Sequence, residues 1–167
     1  MIGYQITVSA KGGLLTDPAI GQRFDREITA TLAELGALGQ NLVVKRTPHG
    51  VSSGGGGLRG SIFTEAHGTP LGRGQRIASS VYYAPIVERG RRPGGHHPPP
   101  GPILLWVVRK LGKRGADAQH VAFLIGRKIA RRGTVGAGMF AHALVDLRPL
   151  VQSRFQALVN RIVEILK

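Results

Sequence analysis

Apolar and polar residues alternate strictly over residues 2–8, so Ile2, Tyr4, Ile6 and Val8 fall on one side of an extended chain. That is the signature of a half-buried strand. The period then lengthens. Asp17-Pro18 offers an N-cap followed by proline at a first helical position, where its missing N–H costs nothing. Beyond it Ile20, Phe24, Ile28, Leu32, Leu35, Leu38 and Leu42 recur every three or four residues. This predicts one long amphipathic helix ending before Thr47-Pro48, about 43 Å if unbroken. Gly36 and Gly39 are candidate bend points.

Residues 48–57 read as a glycine-rich break, with four consecutive glycines at 54–57. Ser61 to Ala66 and Gln75 to Val81 then read as strands around a Gly/Pro loop from His67 to Gly74. Tyr82 to Gly90 leads into a proline-dense break, Arg91 to Pro102. After it, Ile103 to Leu111 predicts a short helix carrying Trp106. Val121, Leu124, Ile125 and Ile129 stripe a second helix from about Asp117 to Arg132. Met139 to Lys167 is again helical in period, and Pro149 predicts a split, with the longer helix starting near Arg148. Strands grouped together and flanked by helices predict an α+β fold. The expected arrangement is a small antiparallel sheet packed against long N- and C-terminal helices, with an inserted helix pair. With 167 residues, one domain is expected over 1–167.

Composition changes this picture in one respect. The chain carries 23 Lys+Arg against 9 Asp+Glu, a net charge of +14, and the excess is localised. Arg89, Arg91, Arg92, Arg109, Lys110, Lys113, Arg114, Arg127, Lys128, Arg131 and Arg132 face a single acid, Asp117, in the stretch 89–132, which holds +10 of the total. Such asymmetry points to a polyanion, either nucleic acid or the acidic face of another protein. There are no cysteines, which excludes disulfides and thiolate metal ligands. Residues 1–6 carry neither a basic n-region nor an apolar h-region, so no signal peptide is expected. The longest bulky apolar run, Ile103 to Val108, falls far short of the ~20 residues of a membrane span.

Candidate catalytic patterns fail on context. Gly50-Val51-Ser52-Ser53-Gly54 has the letters of a nucleophile elbow, but that turn needs a buried strand before the serine and a helix after it. Gly55 to Gly60 fits a dinucleotide fingerprint with a strand where the pyrophosphate needs a helix N-terminus. Gly136 to Ala141 opens a helix, but only Thr134-Val135 stands where a βαβ strand belongs. His96-His97 lacks a second ligand pair at zinc spacing, and the scattered acids offer no acid/base pair. No catalytic residue, metal or cofactor is expected, and the chain reads as a non-enzyme.

Two segments carry a resemblance. Leu58-Arg59-Gly60-Ser61-Ile62 opens the first strand of the pair, and Tyr83-Ala84-Pro85-Ile86-Val87-Glu88-Arg89-Gly90 follows the second. An L-R-x-S-I segment followed by YA-P-x-V-E-x-G resembles the neck or tail-completion (tail-component) family of tailed bacteriophages, typified by the gene-ten product of lambdoid siphophages. The order of elements is similar over about residues 17–165. Phe140 and Ala143, in Gly138-Met139-Phe140-Ala141-His142-Ala143, look like the aromatic and alanine that open the family's last helix. The stretch Gly90 to Gly94, the prolines 98–100 and Trp106 to Gly112 resemble a subgroup with an inserted helix pair. Where the family carries an acid-Thr-Gly segment before the Leu-Arg pair, this chain has Gly54 to Gly57.

The resemblance implies a structural virion protein of the head-to-tail connector. It implies a homo-oligomeric ring of six or twelve copies around the DNA channel, assembled in the bacterial host cytoplasm, with neighbouring neck and tail proteins as partners. Residues 58, 59, 61, 62, 83–85, 87, 88, 90, 140 and 143 become motif or interface candidates. Tyr83 offers an apolar body with a polar tip to an interface or sheet edge, and Glu88 an ion pair with the arginines around it. The basic residues have two candidate jobs, contacting packaged DNA without reading sequence or docking acidic neighbouring rings. Docking is favoured, because strong attraction would hinder DNA sliding through the channel. The alternative function is a basic, sequence-independent nucleic-acid-binding module, against which stands the lack of a helix-turn-helix or RNP signature. A hydrolase using Ser52 is the weakest reading.

Overall fold

The computed structural model describes residues 4–8, 18–50, 57–69 and 72–165. The architecture is α+β. In chain order the elements are β1 (Tyr4–Val8), α1 (Pro18–Arg46), α2 (Gly57–Gly60), β2 (Ile62–Thr69), β3 (Gly72–Ser79), α3 (Ala84–Arg89), β4 (Gly90–Arg91), α4 (Pro100–Leu111), α5 (Gly115–Arg132), β5 (Thr134–Val135) and α6 (Met139–Ile165). Contacts between them separate two units. The first is built on β1, α1, β2, β3 and α6, the second on α2, α3, β4, α4, α5 and β5.

In the first unit α1 is the common support. Its stripe of Phe24, Ile28, Leu32 and Leu35 is buried, and Ile28 and Leu32 pack with Leu158, Phe155 and Ile162 of α6. Each such side chain contributes about 1.5–3 kcal/mol through the apolar area it removes from water. Farther along, Leu38 and Leu42 are only half-buried, and Val43 takes the core position instead. The helix stops at Arg46 because Pro48 disfavours helical backbone at Thr47.

The sheet has the order β1-β3-β2 and is antiparallel throughout. Ile62, Thr64 and Ala66 of β2 pair with Ser79, Ile77 and Gln75 of β3. These positions share one face, by the two-residue period of a strand, and that face lies on α1. Gly36 and Gly39 make this possible. A Cβ on Gly36 would sit 2.7 Å from Thr64 Oγ1, and one on Gly39 would meet the Ile77 side chain and lie 3.1 Å from Leu147 Cδ2 of α6. The two glycines do not break the helix; they let its neighbours approach. Gln40 Nε2 closes the contact by donating to the Ile62 carbonyl at 2.9 Å.

Several expectations require correction. The strands run on through the segment read as a His67–Gly74 loop, pairing His67 with Gly74, Gly68 with Arg73 and Thr69 with Gly72. Arg73 reaches α1 from that end, donating to Asp25 Oδ2 at 3.0 Å and Thr29 Oγ1 at 3.2 Å, and the cross-strand pairing itself extends through the glycines. Helix α6 is not split at Pro149. The proline leaves the Val145 carbonyl without its i+4 donor, yet both residues are exposed, so water can serve it while Leu147 and Leu158 are held in the core. Tyr82 to Gly90, to which the sequence pattern assigns no element, contains α3, and Gly57, read as part of the glycine-rich break, already belongs to the one-turn α2. Thr134-Val135, too short for a βαβ strand, nonetheless pairs antiparallel with Gly90-Arg91. Asp17 and Ser52 lie outside the described residues.

Among the described residues no helix is long and apolar enough to cross a membrane. The close approach at Gly39 generates a prediction. Gly39→Val is expected to destabilise the protein by about 2 kcal/mol through overpacking, although valine is the better helix former. The same change at Gly21, where a Cβ meets nothing within 4 Å, is expected to be neutral or stabilising. Urea unfolding of both variants checks the contrast.

Candidate partner-docking surface

Charge divides unevenly between the two units. The stretches 1–46, 62–80 and 139–167 hold eleven basic residues and seven acids, whereas 47–61 and 81–138 hold twelve and two. Five of the seven acids are spent internally, in the pairs Asp25–Arg73, Glu27–Arg161, Glu34–Arg154, Glu65–Arg76 and Asp146–Arg46. All five are substantially exposed, so each is worth under about 1 kcal/mol. Over all residues the first unit carries +4 and the second +10.

The second unit is organised by α4 and α5, joined by a three-residue link, Gly112–Arg114. Gly112 caps α4 at φ 66, a left-handed conformation that glycine adopts without Cβ strain. Val107 of α4 is fully buried with Ala118 and Ala122 of α5, and Ile103, Leu104, Val121 and Ile125 pack around them. The small alanines let the helices come close. So short a link makes the pair an antiparallel hairpin, which fixes where the basic residues go.

Arg109 and Lys110 in the last turn of α4, with Lys113 and Arg114 in the link, form one exposed basic end. Arg127, Lys128, Arg131 and Arg132, all exposed, form the other, about 25 Å away along α5. The C-terminal cations of both helices suit the helix dipole. Arg89, Arg91 and Arg92 join the second end, because Arg91 pairs with Thr134 and Gly94 N donates to the Ala130 carbonyl at 2.8 Å. The single basic segment of the sequence thus becomes two clusters. Within the second cluster, Arg91 Nη1 is buried without a hydrogen-bond partner.

Between the clusters the hairpin exposes apolar surface that the sequence pattern had assigned to the stripe or left unremarked. Trp106 is 41% exposed, Phe123 55% and Leu124 39%. One flank of α5 is covered: His97 stacks on Phe123 at 5.9 Å and lies against Gly126, and Pro98 is buried. At 100° per residue, Trp106 and Lys110 fall on the opposite flank, together with Leu124 and Lys128. Counting that angle from the buried Val107 and Ala118 is the signal in the sequence that finds them.

The motif residues build backbone rather than exposed surface. Leu58 is buried, Arg59 Nε donates to the Thr47 carbonyl at 2.7 Å, and Ser61 Oγ donates to the Leu58 carbonyl at 2.7 Å. Ile62, Ala84, Glu88, Phe140 and Ala143 are buried, and Pro85 occupies the first turn of α3. Tyr83 is half-buried at the α3 N-cap; its neighbour Tyr82, packed edge-on against it at 5.5 Å, is the exposed tyrosine at 84%. The Val87 and Glu88 carbonyls accept from Ala137 N at 2.8 Å and Gly138 N at 3.1 Å. Gly90 holds φ 77, and a Cβ there would collide with the Thr134 carbonyl. The Tyr83–Gly90 segment is therefore a clamp on the strand pair β4–β5, and Glu88 lies inside it rather than on the surface.

Among the described residues no three His, Asp or Glu side chains gather where they could hold a metal ion. Gly90→Ala is expected to destabilise the protein by about 2 kcal/mol, from the positive φ and the backbone collision together. Thermal unfolding checks it. Comparison of this chain with protein-family models, with curated proteins and with solved structures returns no match.

Proposed function

We propose that this protein is a structural component of the neck of a tailed bacteriophage, a ring-forming piece of the head-to-tail connector rather than an enzyme. Its motif order supports the reading, as does an α+β fold with the inserted helix pair that the resemblance implies. In this reading the α4–α5 hairpin docks the ring onto an acidic neighbouring neck or tail protein. The observation that carries the docking role is the segregation of charge. The first unit carries +4 and holds five of its acids in internal ion pairs, while the second concentrates +10 at two ends of a hairpin whose centre is apolar. An apolar centre with a charged rim is the anatomy of a protein–protein interface, and tryptophan is the residue most often found at its energetic centre. Packaged DNA would be met by the basic clusters but has no use for the apolar patch between them.

Reversing Arg127, Lys128, Arg131 and Arg132 to Glu is expected to leave free heads and free tails in a complementation assay, with infectious yield reduced by orders of magnitude. Normal yield refutes the docking role. Trp106→Ala, which leaves the charge intact, is expected to weaken docking about 30-fold, the equivalent of ~2 kcal/mol at an interface anchor. The alternative, a nucleic-acid-binding module, predicts tight duplex binding that falls steeply with salt and is insensitive to Trp106→Ala. A duplex titration of both proteins at two salt concentrations separates the two readings.

A further inference from the structure

Helix α6 buries one face through Phe140, Ala143, Leu147 and Leu158 and turns the other to solvent. The solvent face of a surface helix is ordinarily its charged face. Here it is not. Val145, Pro149, Gln152, Gln156, Val159 and Val163 are all exposed, Val145 to 63%, and their spacing of four, three, four, three and four keeps them in one line along the helix. His142, Ser153 and Asn160 border the line and carry no fixed charge. The nearest charged side chains, Asp146, Arg148 and Glu164, stand at its margins, and Asp146 is bound to Arg46. A chain of net charge +14 thus has a strip about 27 Å long without a charge on it.

The strip also reads the same in both directions. About position 154, Val145 mirrors Val163, Pro149 mirrors Val159, and Gln152 mirrors Gln156. An antiparallel two-fold pairing of two such helices sets apolar side chains on apolar ones at both ends and glutamine on glutamine in the middle. A carboxamide is both donor and acceptor, so facing glutamines satisfy one another. Two-fold contacts require such self-complementarity. Repulsion between two strongly basic molecules is also least where neither presents charge.

We infer that the outer face of α6 is a two-fold interface with a second copy of this chain, centred on Gln152 and Gln156 and closed at each end by Val145, Val159 and Val163. A two-fold contact closes on itself and does not propagate a ring. It is therefore a surface separate from the head-to-tail contact of the neck reading, and it does not rest on that reading.

The absence of cysteine from the sequence makes the test clean. Full-length Gln152→Cys and Gln156→Cys proteins are prepared separately and mixed, and a short bis-maleimide is added. The expected result is a covalent dimer in the mixture at several times the yield of either variant alone, because position 152 of one copy faces 156 of the other. Equal yields in all three samples, or no covalent dimer, overturn the inference. Light scattering supplies the second reading. Val159→Lys changes an exposed side chain and is expected to halve the mass measured for the unmodified protein at micromolar concentration. An unmodified protein that is already monomeric, or a mass that the substitution leaves unchanged, overturns the inference equally.

Discussion

The first unit depends on how closely other elements can approach α1. A helix 29 residues long has ample surface, but here the sheet and α6 must use adjoining strips of it. Gly36 and Gly39 settle the matter by having no side chains, so that Thr64, Gln75 and Ile77 settle on the helix and Leu147 reaches it from α6. Ile28, Leu32 and Leu158 then continue the α1–α6 seam away from the sheet. Glycine inside a helix costs about 1 kcal/mol, and that cost is offset by the area it allows to be buried. The ion pairs of Arg46, Arg154 and Arg161 run along the same seam and are individually weak; they add register more than stability.

The five ion pairs engage five of the seven acids of the first unit, and the charge of the chain is concentrated in the hairpin unit, whose twelve basic residues face Glu88 and Asp117. Glu88 is buried, so Asp117 is the one carboxylate of that unit at its surface. The proposed division of labour follows from this contrast. A basic hairpin with an apolar centre suits an acidic partner, and a charge-free helix face suits another copy of the same basic molecule. On this proposal each surface would discriminate against the other's partner, the first by repulsion between like charges and the second by lacking any charge to pair.

The Tyr83–Gly90 motif illustrates how a motif differs from a site. Its residue types are explained by backbone geometry: a proline in the first turn of α3, carbonyls of Val87 and Glu88 that hold Ala137 and Gly138, and a glycine at positive φ where β4 begins. Such a clamp sets the direction in which the chain leaves for α4 and returns from α5.

Much of the fold was legible in the chain because amphipathic periods are local. The 18–46 helix, its stop before Thr47-Pro48, the helices around Trp106 and Val121 and the helical C-terminal third all follow from side-chain spacing and proline chemistry. The excess of positive charge was equally plain. What the chain could not show by itself depends on partners distant in sequence. Strand pairing past His67 accompanies an Arg73 contact with α1, α6 passes through Pro149 because its core side is held in place, and the two-residue ladder β4–β5 joins segments more than 40 residues apart. The antiparallel hairpin split one basic run into two clusters and brought Trp106 and Leu124 onto one open flank between them. Local periodicity specifies which residues of a helix share a face. Only the packing of that helix against others decides which face is left for a partner.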